Sequence, residues 1–262
     1  MKSPTPKDKP INSLVEFLDI LDFNSAFVLV STRNPIYLYR GVSDAKNHLL
    51  LPSIGRDWHS DIEALVSTEK EMLSQFKAKA TLLMDANNQP SNNLEWLVLG
   101  QHHGMPTRLL DWTSNCLTAL YFACLNRDVD GAVYLTEKGE ELNDPSKVFN
   151  LEKDLFLTPR HISPRITAQS GHFTISKNPI QPLSLKPLRF LSENRKNIQD
   201  NRVIIPHKAK RRLLMQLRDI NISAASLFPG LDGLAKDISV EYLKLREIAE
   251  IWDSIEQATR GI

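Results

Sequence analysis

Between Gln101 and Thr113 the chain reads Gln-His-His-Gly-Met-Pro-Thr-Arg-Leu-Leu-Asp-Trp-Thr. Two imidazoles, a guanidinium, a carboxylate and an indole N–H fall within a few turns of chain. His102 and His103 carry the side chains whose ordinary pKa lies nearest neutrality, so either could move a proton. Asp111 is a carboxylate able to stabilise positive charge, and Thr113 and Ser114 are hydroxyls ahead of an expected helix start that can receive anionic or polar groups. Gly104 supplies backbone freedom and Pro106 removes it, so the loop is expected to hold one shape. The plainer alternative is a sharp helix-to-strand connection whose polar groups only satisfy one another. Two more stretches carry candidate groups, Tyr39-Arg40-Gly41 at the end of a strand-like run and Arg165 to Ile175 with Gln169 inside it.

Several chemistries find no support. Adjacent histidines are not the i, i+4 pair of a helical zinc site, and there is no Cys-x-x-Cys, so no metal site is expected. Phosphate-loop, dinucleotide-fingerprint and nucleophile-elbow glycine patterns are missing as well. Cys116 and Cys124 are the only cysteines. Eight residues apart on an expected helix, they lie about 12 Å apart along its axis, too far to bridge, and neither has a basic neighbour to activate it. A reducing, cytoplasmic setting is the expectation.

The elements that must position these groups follow from periodicity. Apolar residues at Leu14, Phe17, Leu18 and Leu21 predict a helix within Ile11 to Phe23, capped by Asn12 or Ser13. Phe27 to Val30 reads as a short strand, and Ile36 to Gly41 as a strand started by Pro35. Ile62 to Asp85 is expected to be a long helix burying Leu65, Met72, Leu73, Phe76, Ala80 and Leu83, and Glu95 to Leu99 a shorter one. Arg108 to Thr113 is expected to be a strand, and Ser114 to Leu125 a buried helix capped by Thr113 or Ser114. Gly131 to Leu135 is the next strand, followed by a variable region to Pro164. Arg165 to Ile175 reads as a strand broken at Gly171, and residues 181 to 200 as loop. Arg202 to Ile205 is a strand and Lys208 to Arg218 a helix. The turn from Leu227 to Leu234 feeds a last helix to about residue 258.

At 262 residues, 42% hydrophobic and 24% charged, the composition is that of an ordinary globular protein with a full core. No apolar run is long enough for a membrane span. Met1 to Pro10 is polar and basic, and is expected to be a frayed tail rather than a secretory signal. Without repeats or a clear linker, the expected class is α+β: one domain, a mixed or antiparallel central sheet flanked by helices.

Tyr39-Arg40-Gly41, the Gln101 to Thr113 run, and Arg165-Ile166…Ala168-Gln169…Gly171…Phe173 together resemble the FRG domain, a family named for its Phe/Tyr-Arg-Gly motif. The stretch from Leu227 to Leu234 is similar to that family's closing segment. The likeness spans residues 35 to 237, between an N-terminal tail and helix (1 to 34) and a C-terminal helix (238 to 262). At a second level, the motif order is similar to that of ADP-ribosyltransferases. These place an Arg or His at the end of a first strand, then a strand ending in Ser/Thr, then a helix of the form Ala-x-x-Phe-Ala, then a strand with a catalytic Glu. Arg40, Thr113 and Ser114, and Ala119-Leu120-Tyr121-Phe122-Ala123 occupy the corresponding places; Gln169 stands where the glutamate would be.

That resemblance implies a toxin or defence effector that takes NAD as substrate and modifies a macromolecular acceptor. In that reading Arg40, His102, His103, Asp111 and Gln169 are the candidate catalytic residues. Tyr39, Arg40, Gly41, Arg108, Trp112, Thr113 and Ser114 are the candidates for holding NAD. Each has a rival assignment: Arg40 as an ion-pair partner of Asp111, Trp112 as core, Gln169 as a tie between loop and sheet, Asp232 as a turn cap instead of an acid. Asp111 could pair with Arg108, but residues i and i+3 of a strand face opposite ways, which favours a partner from elsewhere. Arg202, Lys208, Lys210, Arg211, Arg212 and Arg218 form a cluster with no acidic residue among them, either a solvated helix face or a surface for an RNA or DNA acceptor. An antitoxin or other partner protein is compatible with the same reading. The other functional classes are a non-catalytic nucleotide or nucleic-acid binding module and a metal-independent ribonuclease using His102, His103 and Asp111.

Overall fold

A Cβ placed on Gly41 would lie 1.8 Å from the carbonyl oxygen of Ala119. There the central strand and the helix on its face approach so closely that only a glycine fits. In the computed structural model the described residues are 11–21, 36–58, 61–85, 89–160, 163–188, 198–199 and 201–242. The sequence readings on Met1 to Pro10, on Phe27 to Val30, and on the last helix beyond 242 lie outside them.

The helices are α1 (Leu14–Leu21), α2 (Ile62–Ala80), α3 (Asn93–His102), α4 (Cys116–Ala123), α5 (Pro164–Ala168), α6 (His207–Asp219) and α7 (Ala224–Leu227), with α8 at 231–242. The strands are β1 (Tyr37–Val42), β2 (Leu109–Thr113), β3 (Gly131–Glu137), β4 (Leu155–Leu157), β5 (Gly171–Ile175), β6 (Ile198–Gln199) and β7 (Arg202–Ile205). They form one sheet in the order β4-β5-β2-β1-β3-β7-β6, with every ladder antiparallel. The class is α+β, as the residue pattern predicts.

Alternation along the strands builds two unlike faces. Tyr39, Val133, Leu135, Val203 and Ile205 pack under α1, α4 and α6. On the same face Leu109, Phe173 and Ile175 pack under α2 and α3. The opposite face, with Leu38, Val42, Leu110, Trp112, Ala132 and Tyr134, is covered by Leu50, Leu183 and Leu185 from irregular segments.

Four local expectations are corrected. Helix α2 ends at Ala80, a single 3₁₀ turn follows, and Leu83 is exposed. Helix α4 is capped by Asn115, whose side chain accepts the Leu117 and Thr118 N–H groups, not by Thr113 or Ser114. The first four residues of the Arg165 to Ile175 run belong to the helix α5: Ser163 caps it and Pro164 fills the first position, where its missing N–H costs nothing. The strand starts only at Gly171. Finally, β4 arises inside the region read as variable.

One buried ion pair joins the helical layer to the sheet. Glu69 on α2 accepts the Arg108 backbone N–H at 2.8 Å and its Nε at 2.7 Å, and both side chains are essentially free of solvent contact. Arg108 also donates from Nη1 to the Val148 carbonyl at 3.2 Å and lies over the Phe149 ring. Burial pushes the Glu69 carboxyl above its ordinary range, and the Arg108 guanidinium opposes that push. Removing one partner strands the other charge in the core. Glu69→Ala is expected to lower unfolding stability in urea by about 3–5 kcal/mol, whereas a Glu69→Leu/Arg108→Met double substitution recovers much of that loss.

Candidate functional site

The run from Gln101 to Thr113 is a helix stop, a tight bend and a strand, and each polar group in it has a definite place. Gly104 has φ +88°, a left-handed conformation suited to glycine. Its N–H donates to the Gln101 carbonyl at 3.0 Å and the next, Met105, to the Gly100 carbonyl at 2.9 Å. These are the two bonds of a Schellman stop. Thr107 then ties the bend inward: its hydroxyl donates to the Gln101 side-chain oxygen, and its N–H donates to Ser53 Oγ at 3.2 Å.

From there β2 runs between β5 and β1, but unequally. Five register pairs join it to β5 and one, Tyr39 with Thr113, joins it to β1. The Ser114 N–H donates to Ser170 and the Ser176 N–H to the Arg108 carbonyl, so the even positions of β2 address β5 and the odd positions address β1. The Asp111 carbonyl, aimed at β1 where the ladder has stopped, accepts Arg40 Nη1 at 2.6 Å. The guanidinium thus replaces a ladder bond and props the two central strands apart.

A groove of about 210 Å³ opens at that split, lined by Arg40, Ser53, Arg56, Gln101, Gly104, Met105, Leu109, Leu110 and Asp111. Arg40 Nη1 is 3.7 Å from the Asp111 carboxylate, which is 56% exposed. Burial lowers the Arg40 pKa from its ordinary value, Asp111 raises it, and Arg56 lowers it further as a like charge. Two arginines and one carboxylate therefore share a single concavity, and Arg40 and Asp111 stand as the ion pair that the sequence offered as the alternative to a ligand site.

On the other side of Asp111 stands α5. Arg165 donates from Nη1 to the His102 carbonyl at 3.2 Å and its guanidinium lies 4.5 Å from the Phe228 ring centroid. His102 Nδ1 is 3.3 Å from Ser163 Oγ. Burial holds the His102 pKa below its ordinary value of 6.5; Asp111 pulls it up, and Arg165 and His103 push it down.

The remaining expected site residues are elsewhere occupied. Tyr39 is buried under α4, and Gly41 is the steric opening for Ala119 rather than a ligand contact. Arg108 is spent on Glu69. Trp112 is 3% exposed and donates its Nε1–H to Thr174 Oγ1 at 3.1 Å. Thr113 Oγ1 donates to the Gln169 carbonyl at 2.6 Å and accepts the Asn115 N–H, while Gln169 Nε2 donates to the Leu227 carbonyl at 3.0 Å. Gln169 is thus the tie between loop and sheet, and it does not face the groove. His103 ends α3 as an exposed C-cap, Ser114 is exposed, and Asp232 is exposed in the first turn of α8. Among the described residues no group of three or more His, Cys, Asp and Glu is arranged to hold a metal ion.

The basic cluster divides. Lys210 is buried, donating to the Ser43 and Asn126 carbonyls, and Arg202 donates to the Ala45 carbonyl beside the Tyr134 ring. Arg218 pairs with Glu241. Lys208, Arg211 and Arg212 lie on the exposed side of α6.

Sequence reasoning missed Ser53, Arg56 and Arg165 as neighbours of the site. Ser163-Pro164 is a helix-start signal that would have turned Arg165 toward Asp111; nothing in the local sequence marks Ser53 or Arg56.

Fold and groove define an α+β domain with one antiparallel sheet, opened between its two central strands beside an arginine and a carboxylate. Residues 35–131 match the model of the FRG domain. No curated protein and no solved structure matches the chain. Among the described residues no helix is long and apolar enough to cross a membrane.

The charges around His102 make a signed prediction. Its ring signals in NMR are expected to titrate with a midpoint below 6.5. Asp111→Asn moves that midpoint further down, because the carboxylate favours the imidazolium, and Arg165→Gln moves it up. Since the folded value lies below the unfolded one, the stability that His102 contributes is present above pH 6.5 and is lost as pH falls through the folded value.

Proposed function

We propose that this FRG domain is an ADP-ribosyltransferase-like toxin or defence effector that takes NAD as substrate and transfers ADP-ribose to a macromolecular acceptor. The observation that carries the reading is the shared groove of Arg40, Arg56 and Asp111. Breaking the nicotinamide–ribose bond needs an anchor for a diphosphate and a negative group beside a sugar that becomes cationic. Two guanidiniums answer the first need with the N–H groups that the Asp111 and Leu51 carbonyls leave uncommitted. The Asp111 carboxylate answers the second. Its 3.7 Å contact with Arg40 is longer than a hydrogen bond and more than half exposed on the Asp111 side, so it is weak. A phosphate arriving at Arg40 exchanges for the carboxylate and frees it to face the ribose. The groove is smaller than the roughly 300–1,000 Å³ of a drug-sized pocket, and its size suits the diphosphate–ribose portion of NAD. With Gln169 engaged as a tie, Asp111 is the carboxylate at the groove for this chemistry.

Lys208, Arg211 and Arg212 on the exposed side of α6 support a polyanionic acceptor, RNA or DNA, held by phosphate contacts. Neutralising all three is expected to weaken RNA binding and flatten its salt dependence; binding indifferent to salt would speak against a nucleic-acid acceptor.

Nicotinamide release from NAD, measured with nucleic-acid and protein acceptors present, tests the main reading. The unaltered protein is expected to release it, and Arg40→Ala and Asp111→Asn to slow release by about 10²–10³-fold. No release with any acceptor overturns it. RNA cleavage without NAD would point instead to a ribonuclease, and tight nucleotide binding without turnover to a binding module.

A further inference from the structure

We propose, resting on the NAD reading above, that Ser163 is itself a covalent acceptor of the ADP-ribosyl group, with His102 receiving its proton. Ser163 Oγ accepts the Arg165 backbone N–H at 3.2 Å as the cap of α5. The same oxygen lies 3.3 Å from His102 Nδ1. One lone pair is thereby engaged, and in the tautomer that carries its proton on Nε2 the imidazole accepts the hydroxyl proton at Nδ1.

The imidazole is held for that task from several sides. Arg165 Nη1 grips the His102 carbonyl at 3.2 Å. The His102 ring lies 6.3 Å, centroid to centroid, from Phe173, and Phe173 is the register partner of Asp111 across the ladder. Ser163 lies beside His102, and the Asp111 carboxylate, which lines the groove, is near enough to act on the His102 ring through its charge. Burial keeps the ring neutral at pH 7, the form that accepts a proton. Arg40 and Arg165 flank the carboxylate, so a cationic acceptor such as a lysine ammonium is repelled while a neutral hydroxyl is not.

The step balances. A bond forms between Ser163 Oγ and C1 of the ribose that carried nicotinamide. The C1–N bond breaks, its electron pair leaves with nicotinamide as a neutral base, and the hydroxyl proton passes to His102 Nδ1 and then to water.

The test uses the full chain incubated with NAD and read in two ways, nicotinamide release and peptide mass spectrometry for the ADP-ribose adduct. The expected result is an adduct on Ser163 in the unaltered protein. Ser163→Asn keeps a side-chain cap for α5 but has no hydroxyl, and is expected to carry none at that position; Ser163→Gly serves the same purpose should the asparagine unfold the chain. His102→Gln is expected to slow adduct formation by about 10²-fold. Nicotinamide release without an adduct on Ser163 overturns this inference and leaves the NAD reading standing. An adduct on Ser163 that forms at the same rate in His102→Gln removes His102 from the step and overturns the pairing. Absence of nicotinamide release removes both.

Discussion

The pairing of Arg108 with Glu69 is the constraint on which the rest of this structure leans. A guanidinium and a carboxylate enclosed in a core are tolerated only when each has the other at hydrogen-bond distance. Glu69 meets both the side chain and the backbone N–H of Arg108, so it positions the strand as well as the charge. The residue after Arg108 begins β2, and everything that faces the groove or α5 is counted from there. Asp111 shares a face with Leu109 and Thr113, and of the five strand residues it alone is exposed, beside the groove.

A second constraint acts where β2 leaves β1. Strands paired through one register position would ordinarily leave backbone groups without partners inside the molecule. Arg40 fills that need at the Asp111 carbonyl, and its own Nε is left buried without a partner. The local chemistry of the groove and the stability of the open sheet are thus carried by one side chain. The same side chain is the only one named for the family motif that lines the groove, since Tyr39 faces the helices and Gly41 makes room for Ala119.

Motif residues that look equally chemical in a string of letters have separate duties in space. Trp112, Thr113 and Gln169 form a hydrogen-bonded seam that joins β2 to β5, α5 and α7. Lys210, within a basic run, closes the end of β1 and the turn after α4 from inside. Arg165, placed on a strand by its β-branched neighbours, is swung onto a helix by Ser163 and Pro164 and arrives beside Asp111. Charge type alone could not separate these roles, because a buried lysine with two carbonyl partners and an exposed one differ only in what surrounds them.

By itself the sequence determined the class of the fold, most helices and central strands, the bend at Gly104 and Pro106, and the expectation that Asp111 would find its partner outside its own strand. Those are consequences of periodicity, of the left-handed freedom of glycine and of strand alternation, all of them local. Tertiary structure alone decided that Arg40 reaches Asp111, that Glu69 takes Arg108, and that Arg56 and Arg165 join the neighbourhood of the site. Each of those pairs is brought together by chain packing across more than ten residues, and burial, which sets whether a charge is a tool or a strut, is a property of the assembled layers.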